Sequence, residues 1–232
     1  MKRIYYTQNP LLSSARNYMF WGYLLYTIMG FGGEILVLLG CVAGIFYLVG
    51  VYRFSVVTKS KIFRWYMLNV LSCFIVSLFA GIVISLYIIS SNESRMSESS
   101  LYILFGISAV FVAGIMTIDI YFSYQISRAF TLLTKNGLFW LSFQCYLLLY
   151  LLVIIICVIG FFSFGTLLIS GDLGDFNYLE NLFSNNILLI VTFLLYLFLA
   201  VILSLMRVGG FLIALYSIES VYVPDSKIKE EG

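Results

Sequence analysis

From Leu138 to Ile169 the chain runs for 32 residues without one charged side chain. As a helix, at ~1.5 Å per residue, that run is ~48 Å long, well beyond the ~30 Å of a bilayer's hydrocarbon core. The rest of the chain is written in the same way. Of its 232 residues 62% are hydrophobic and 10% charged, with a mean hydropathy of +1.04. A soluble domain is about 45–50% apolar and about 25% charged. No soluble fold of this length buries so much apolar surface, so the bilayer is the expected solvent. In lipid every backbone polar group must be bonded within the chain, and long apolar runs satisfy that as helices. The expected fold is all-α: a polytopic integral protein of the cell membrane, read as one transmembrane domain over residues 1–232.

Six spanning helices are expected. They cover about Leu11–Gly30, Glu34–Thr58, Ile62–Ser90, Ser100–Leu133, Leu138–Ile169 and Asn185–Tyr222. Asn9 and Pro10 supply a cap and a first-turn proline for the first. The sixth, at 38 residues, must tilt, break or protrude, and Gly209-Gly210 offers a bend. Basic residues gather at alternate ends: Lys2, Arg3 and Arg16, then Arg53, Lys59, Lys61 and Arg64, then Arg128 and Lys135, then Lys227 and Lys229. In the loops between these groups only Arg95 interrupts, in the third, while Arg207 lies inside the sixth span. Lys and Arg accumulate on the cytoplasmic side, so both termini are expected there. Polar residues from Gln8 to Asn17 interrupt any apolar core of a cleavable signal, and the first run is expected to stay as a span.

One phrase is written twice. Phe54-Ser-Val-Val-Thr-Lys-Ser60 lies over Phe130-Thr-Leu-Leu-Thr-Lys-Asn136, and Trp65 and Trp140 follow, with Asn69 and Gln144 four residues further on. Each copy ends a helix descending to the cytoplasm and turns into one that climbs back. The repeat predicts a duplicated hairpin, residues 34–90 and 100–169, in one orientation. Convergence is the competing account, because any inner turn favours Lys, Thr and an interfacial Trp.

These turns also carry a resemblance. The Gly30–Gly33 turn, the Lys59-Ser60-Lys61-Ile62-Phe63 stretch, the segment from Ser123 to Trp140 and the terminal Gly209–Ile218 stretch together resemble an archaeal family of multi-pass proteins known as domain of unknown function 996. The likeness runs from about residue 12 to 220. It implies a multi-pass membrane fold and an archaeal source. The family has no established activity, so no functional residue carries over.

Chemistry is sparse. The chain has no histidine, and Cys41, Cys73, Cys145 and Cys157 fall in apolar stretches without Cys-x-x-Cys spacing. They read as small buried hydrophobes. No catalytic triad, zinc motif or phosphate loop is present; "GFGGE" lacks the strand and the lysine that a nucleotide loop needs. No enzyme activity, cofactor or metal site is expected. A net charge of +2 gives no reason to expect nucleic acid. Asp172, Asp175 and Glu180 form an acidic outer loop without calcium-ligand spacing. Asn92-Glu93-Ser94 is a glycosylation sequon. Gly40 and Gly44 form a G-x-x-x-G pair that lets a backbone approach closely, either another helix of this chain or a second copy.

The informative residues are polar ones at membrane depth. Asp119 and Arg207 lie inside the fourth and sixth spans, 18 residues after Leu101 and 21 after Asn186. Those separations correspond to ~27 and ~32 Å of helix. The expectation is a polar cluster of Asp119 and Arg207 facing each other, with Asn69 or Gln144 as a further neighbour. Such a cluster reads either as a buried clasp or as the lining of a small ion or solute path. An enzyme acting on lipid would have only Asp119, Tyr121 and Tyr124 for proton chemistry. The function expected is therefore a structural or accessory membrane component, free-standing or a subunit of a membrane complex, with transport through Asp119 as the alternative.

Overall fold

A computed structural model describes residues 2–29, 34–90, 98–169 and 187–223. The described chain is 90% helical. Its helices are α1 (Pro10–Met29), α2 (Glu34–Thr58), α3 (Ile62–Ser90), α4 (Glu98–Thr134), α5 (Leu138–Ile169) and α6 (Ile187–Tyr216). Five of them carry stretches long and apolar enough to cross a membrane: Leu39–Thr58, Ile62–Ser90, Gly106–Thr134, Leu138–Ile156 and Leu194–Tyr216. This is a membrane-embedded protein. α1 is not among the five; Ser13, Ser14, Arg16 and Asn17 dilute its first turns. The GFGG turn, the Asn92 sequon and the acids at 172, 175 and 180 lie outside the described residues.

The ends of the chain depart from an all-helical reading. Lys2–Tyr5 forms β1, a single 3-10 turn follows at Tyr6–Gln8, and Ser220–Val223 forms β2. The strands pair antiparallel, with Arg3 opposite Tyr222 and Ile4 opposite Val221. Helix six therefore stops at Tyr216, short of the expected Tyr222, and it runs unbroken through Gly209-Gly210. The ladder alternates as a half-buried strand should: Val221 and Val223 are buried, while Arg3 is exposed over the Tyr5 and Tyr222 rings. Arg3 Nε also donates to Ser220 Oγ at 2.9 Å. Val-Tyr-Val favours a strand, but its partner lies over 200 residues away, beyond the reach of local pattern.

By contacts the chain forms two compact units. The first holds Met1–Phe74, Thr117–Gln144 and Met206–Gly232; the second holds Ile75–Met116 and Cys145–Leu205. Every Lys and Arg among the described residues falls in the first. So does nearly all of the buried core: Leu12, Met19, Val51, Phe54, Ile62, Phe130, Phe139, Leu215, Ile218 and Val221 are 2% exposed or less. Four phenylalanines lie at its centre. Phe130 packs on Phe54 at 5.0 Å, on Phe139 at 4.9 Å and on Phe211 at 6.2 Å between ring centroids.

α1 and α2 approach closely within this unit. A Cβ on Gly22 would run into the backbone N of Tyr47, 2.8 Å from its Cα. One on Gly50 would lie 2.6 Å from Met19 N. The G-x-x-x-G pair faces the same helix less tightly, with Gly40 3.7 Å from Met29 Cβ and Gly44 3.8 Å from Tyr26 Cδ2. The glycines that set the contact are thus Gly22 and Gly50, one on each helix. Asn9 caps α1 as its position suggests, accepting from Leu11 N at 3.0 Å and Leu12 N at 3.2 Å.

The twice-written phrase folds the same way twice at its turn. Thr58 Oγ1 donates to Phe54 O, and Thr134 Oγ1 to Phe130 O, each at 2.7 Å. Lys59 (φ 50°) and Lys135 (φ 54°) are the non-glycine residues with positive φ among those described. After α2, Ser60 N donates to Ser55 O at 3.1 Å, closing the wide loop of a left-handed cap. A Cβ in this conformation costs ~1–2 kcal/mol. Lys59→Gly is therefore expected to raise stability by about 0.5–1 kcal/mol. Lys135→Gly should gain less, because its ammonium sits 4.1 Å from the Tyr222 ring centroid and that contact is lost. Thermal unfolding of the two variants in detergent measures the difference; equal gains would mean the Tyr222 contact contributes nothing.

Candidate functional site

The polar residues at membrane depth are placed by three helices of the first unit. Asn69, two turns into α3, donates its Nδ2 to Asp119 Oδ1 of α4 at 2.7 Å. One turn further along α3, Cys73 Sγ donates to Asn69 Oδ1 at 3.5 Å. The i, i+4 spacing puts Asn69 and Cys73 on one face of α3, so one amide serves two partners. Asn69, Cys73 and Asp119 are all half-buried. Among the described residues no buried side-chain N or O lacks a partner.

Arg207 sits on α6. Its backbone carbonyl accepts from Ser142 Oγ of α5 at 2.7 Å. Of the residues expected to cluster, the structure joins Asn69 to Asp119 directly. Gln144 is left out: it is exposed on α5 and makes no hydrogen bond with a described residue.

Sequence reading missed the tyrosines. Tyr47 of α2 packs on Tyr23 of α1 at 5.6 Å and on Tyr66 of α3 at 5.5 Å between centroids. Each looks like an ordinary apolar-helix aromatic on its own. The signal available was their number: 18 tyrosines in 232 residues, many inside spans, where a phenol needs a polar neighbour or an interface.

Among the described residues no three His, Cys, Asp or Glu come together as a metal site. What the arrangement does offer is a carboxyl group held by an amide. Removing the amide tests its weight. Asn69→Ala strips Asp119 of this donor and is expected to cost about 1–3 kcal/mol, whereas Gln144→Ala should stay within about 0.5 kcal/mol. Denaturant titration in mixed micelles reads both, and equal effects would remove Asn69 from the structural account. No family model, no curated protein and no solved structure matches the chain.

Proposed function

We propose that the protein crosses the cell membrane six times with both termini in the cytoplasm, α1 being the sixth span. The β1–β2 ladder supports this reading through parity. Strands from the two ends can pair only on one side of a membrane, and five crossings would separate them. The confinement of described Lys and Arg to the first unit, which holds both strands and both repeated turns, supports the cytoplasmic side. The matching turns and the Phe54–Phe130 contact are in keeping with a duplicated hairpin, and the whole layout with the archaeal multi-pass family that the sequence resembles.

Within that topology the protein acts as a non-enzymatic structural or accessory component of a membrane complex. One observation carries this: the most apolar stretches of α3 and α4 have no buried residue at all. Ile75, Phe79, Leu86 and Ile89 of α3 and Val110 of α4 are exposed. Apolar side chains all around a helix fit lipid or the flank of another membrane helix. Affinity purification from native membrane in mild detergent is expected to recover a stoichiometric second protein. Recovery of this chain alone, at the mass of one copy, would count against a subunit role.

The Asn69–Asp119 hydrogen bond favours a second reading, a path for a small ion or solute that uses Asp119. An ionisable side chain at membrane depth is costly, and such residues commonly mark routes for ions or protons.

A further inference from the structure

Arg53 stands five residues before the end of α2, about 7.5 Å of helix inside it. An arginine at that depth ordinarily extends its guanidinium toward water. This one reaches across to α1, where Nη1 donates to Ser14 Oγ and Cζ lies 4.7 Å from the centroid of the Tyr18 ring. Tyr18 in turn stacks on Phe46 of α2, with centroids 5.8 Å apart and 16° between the planes. Phe46 is two turns from Arg53 on the same face of α2. The guanidinium and the two rings therefore form a column that descends from one end of the helix pair.

Below the column lies exposed apolar surface. Past Tyr18, the exposed Trp21, Leu25 and Ile28 recur along α1 at three- and four-residue steps; past Phe46, Val42 and Leu39 do so along α2. Because α1 meets α2 with Gly22 at Tyr47 and Gly50 at Met19, both stripes run the same way from Arg53. Arg53 makes no ion pair with a described residue. A guanidinium has five N–H donors in a planar fork, and Ser14 takes one. Arg16 differs, since Nη1 and Nη2 donate to Tyr216 O at 3.3 Å and Tyr6 Oη at 2.7 Å. Both of its terminal nitrogens serve the fold. A charge fixed by a hydroxyl and a ring, above an apolar face, fits a molecule that carries an anionic oxygen group on hydrocarbon.

We propose that Arg53 and Ser14 bind the phosphate of an anionic glycerophospholipid, one acyl chain of which lies along Tyr18, Phe46 and the apolar stripes below. Arginine meets phosphate oxygens through paired N–H donors. The Ser14 hydroxyl accepts from Arg53 and keeps its own proton to donate. The Tyr18 ring holds the guanidinium in place beforehand, so little side-chain freedom is lost on binding. A headgroup without an ammonium is favoured, because among the described residues no carboxylate pairs with Arg53 or stands ready to receive one there. Binding needs Arg53 at a membrane surface, on either side, and does not depend on the number of spans.

The full chain in mild non-ionic detergent, mixed with equal amounts of phosphatidylglycerol and phosphatidylcholine and weighed intact by native mass spectrometry, provides the test. One phosphatidylglycerol per chain is expected, favoured about tenfold or more over phosphatidylcholine. Arg53→Gln, which can still donate to Ser14, should lose that preference. Lys61→Gln removes the same charge from the exposed turn after α2 and should keep it within about twofold. In the wild-type protein, phosphatidylglycerol with a photoreactive acyl chain should crosslink within residues 18–28 or 39–49, a readout that needs no variant to fold. Equal losses in the two variants would mean diffuse attraction to basic surface and would overturn the site. So would crosslinks confined to other segments, or no preference over phosphatidylcholine. Displacement of the bound lipid by inorganic phosphate would overturn the lipid assignment and make the ligand a free phosphate.

Discussion

Gly22→Leu destabilises the first unit by at least about 3 kcal/mol, beyond the ~1–3 kcal/mol usual for an overpacked core. The first carbon of any side chain at this position runs into the backbone of Tyr47, and backbone cannot swing aside as a side-chain tip can. Relief requires α1 and α2 to separate, which loosens Met19 and Gly50 from each other as well. Gly22→Ala should already be costly. Gly81→Ala is the control: nothing lies within 4 Å of the place its methyl would take, and replacing a helical glycine is expected to gain up to about 1 kcal/mol. Unfolding in mixed micelles, followed by far-UV circular dichroism, separates the two. A Gly22→Ala protein as stable as the wild type would mean that the helices are not in backbone contact.

Phe130→Ala is the second large effect, at about 3–5 kcal/mol. Phe130 is fully buried and touches Phe54, Phe139 and Phe211, so its removal leaves a cavity walled by three rings. Phe54→Ala should cost less, although Phe54 is equally buried, because Phe130 is its one ring neighbour among the described aromatics. The comparison separates repetition in sequence from equivalence in packing. The two phenylalanines occupy the same place in the phrase, but the second also meets α5 and α6. Equal losses would show that ring contacts do not govern this core.

Much of the fold could be read from the chain because lipid simplifies the rules. Apolar runs must be helices, and turns fall where charge and small polar residues interrupt them. The boundaries of helices two, three and five match the sequence reading residue for residue, at Thr58, Ile62, Ser90, Leu138 and Ile169. The fourth differs by two residues at its start and by one at its end. Non-local events were hidden. The Lys2–Tyr5 strand is four residues long, and its pairing with Ser220–Val223 depends on both ends reaching one place after the helices have formed. The close contact of α1 with α2 depends on Gly22 and Gly50, which belong to no G-x-x-x-G spacing; the visible pair, Gly40 and Gly44, makes the looser contact.

The candidate site was legible in part for the same reason. Ionisable and amide residues stand out in an apolar helix, so Asp119, Asn69 and Arg207 were found. Which of them meet depends on helix rotation and tilt, which counting along the chain does not supply. Equal depth suggested that Asp119 and Arg207 face each other; the structure gives Asp119 a direct hydrogen bond from Asn69. Gln144 is four residues past its tryptophan just as Asn69 is, but it is exposed. Tyrosines give no such contrast, since a ring reads as apolar wherever it falls.

The central claim is six crossings with both ends in the cytoplasm, and sidedness at four positions tests it most directly. Single cysteines at Thr7, Ser60, Asn136 and Glu219, in a chain whose native cysteines are replaced by alanine, are treated with a membrane-impermeant thiol reagent. Ser97→Cys and Gly174→Cys serve as the outer positions. In intact cells six crossings predict labelling at 97 and 174 alone, with 7, 60, 136 and 219 labelled only once the membrane is opened. Thr7→Cys labelled from outside while Glu219→Cys is protected would mean that α1 does not cross, and would contradict both the six-span topology and the ladder that joins the two ends.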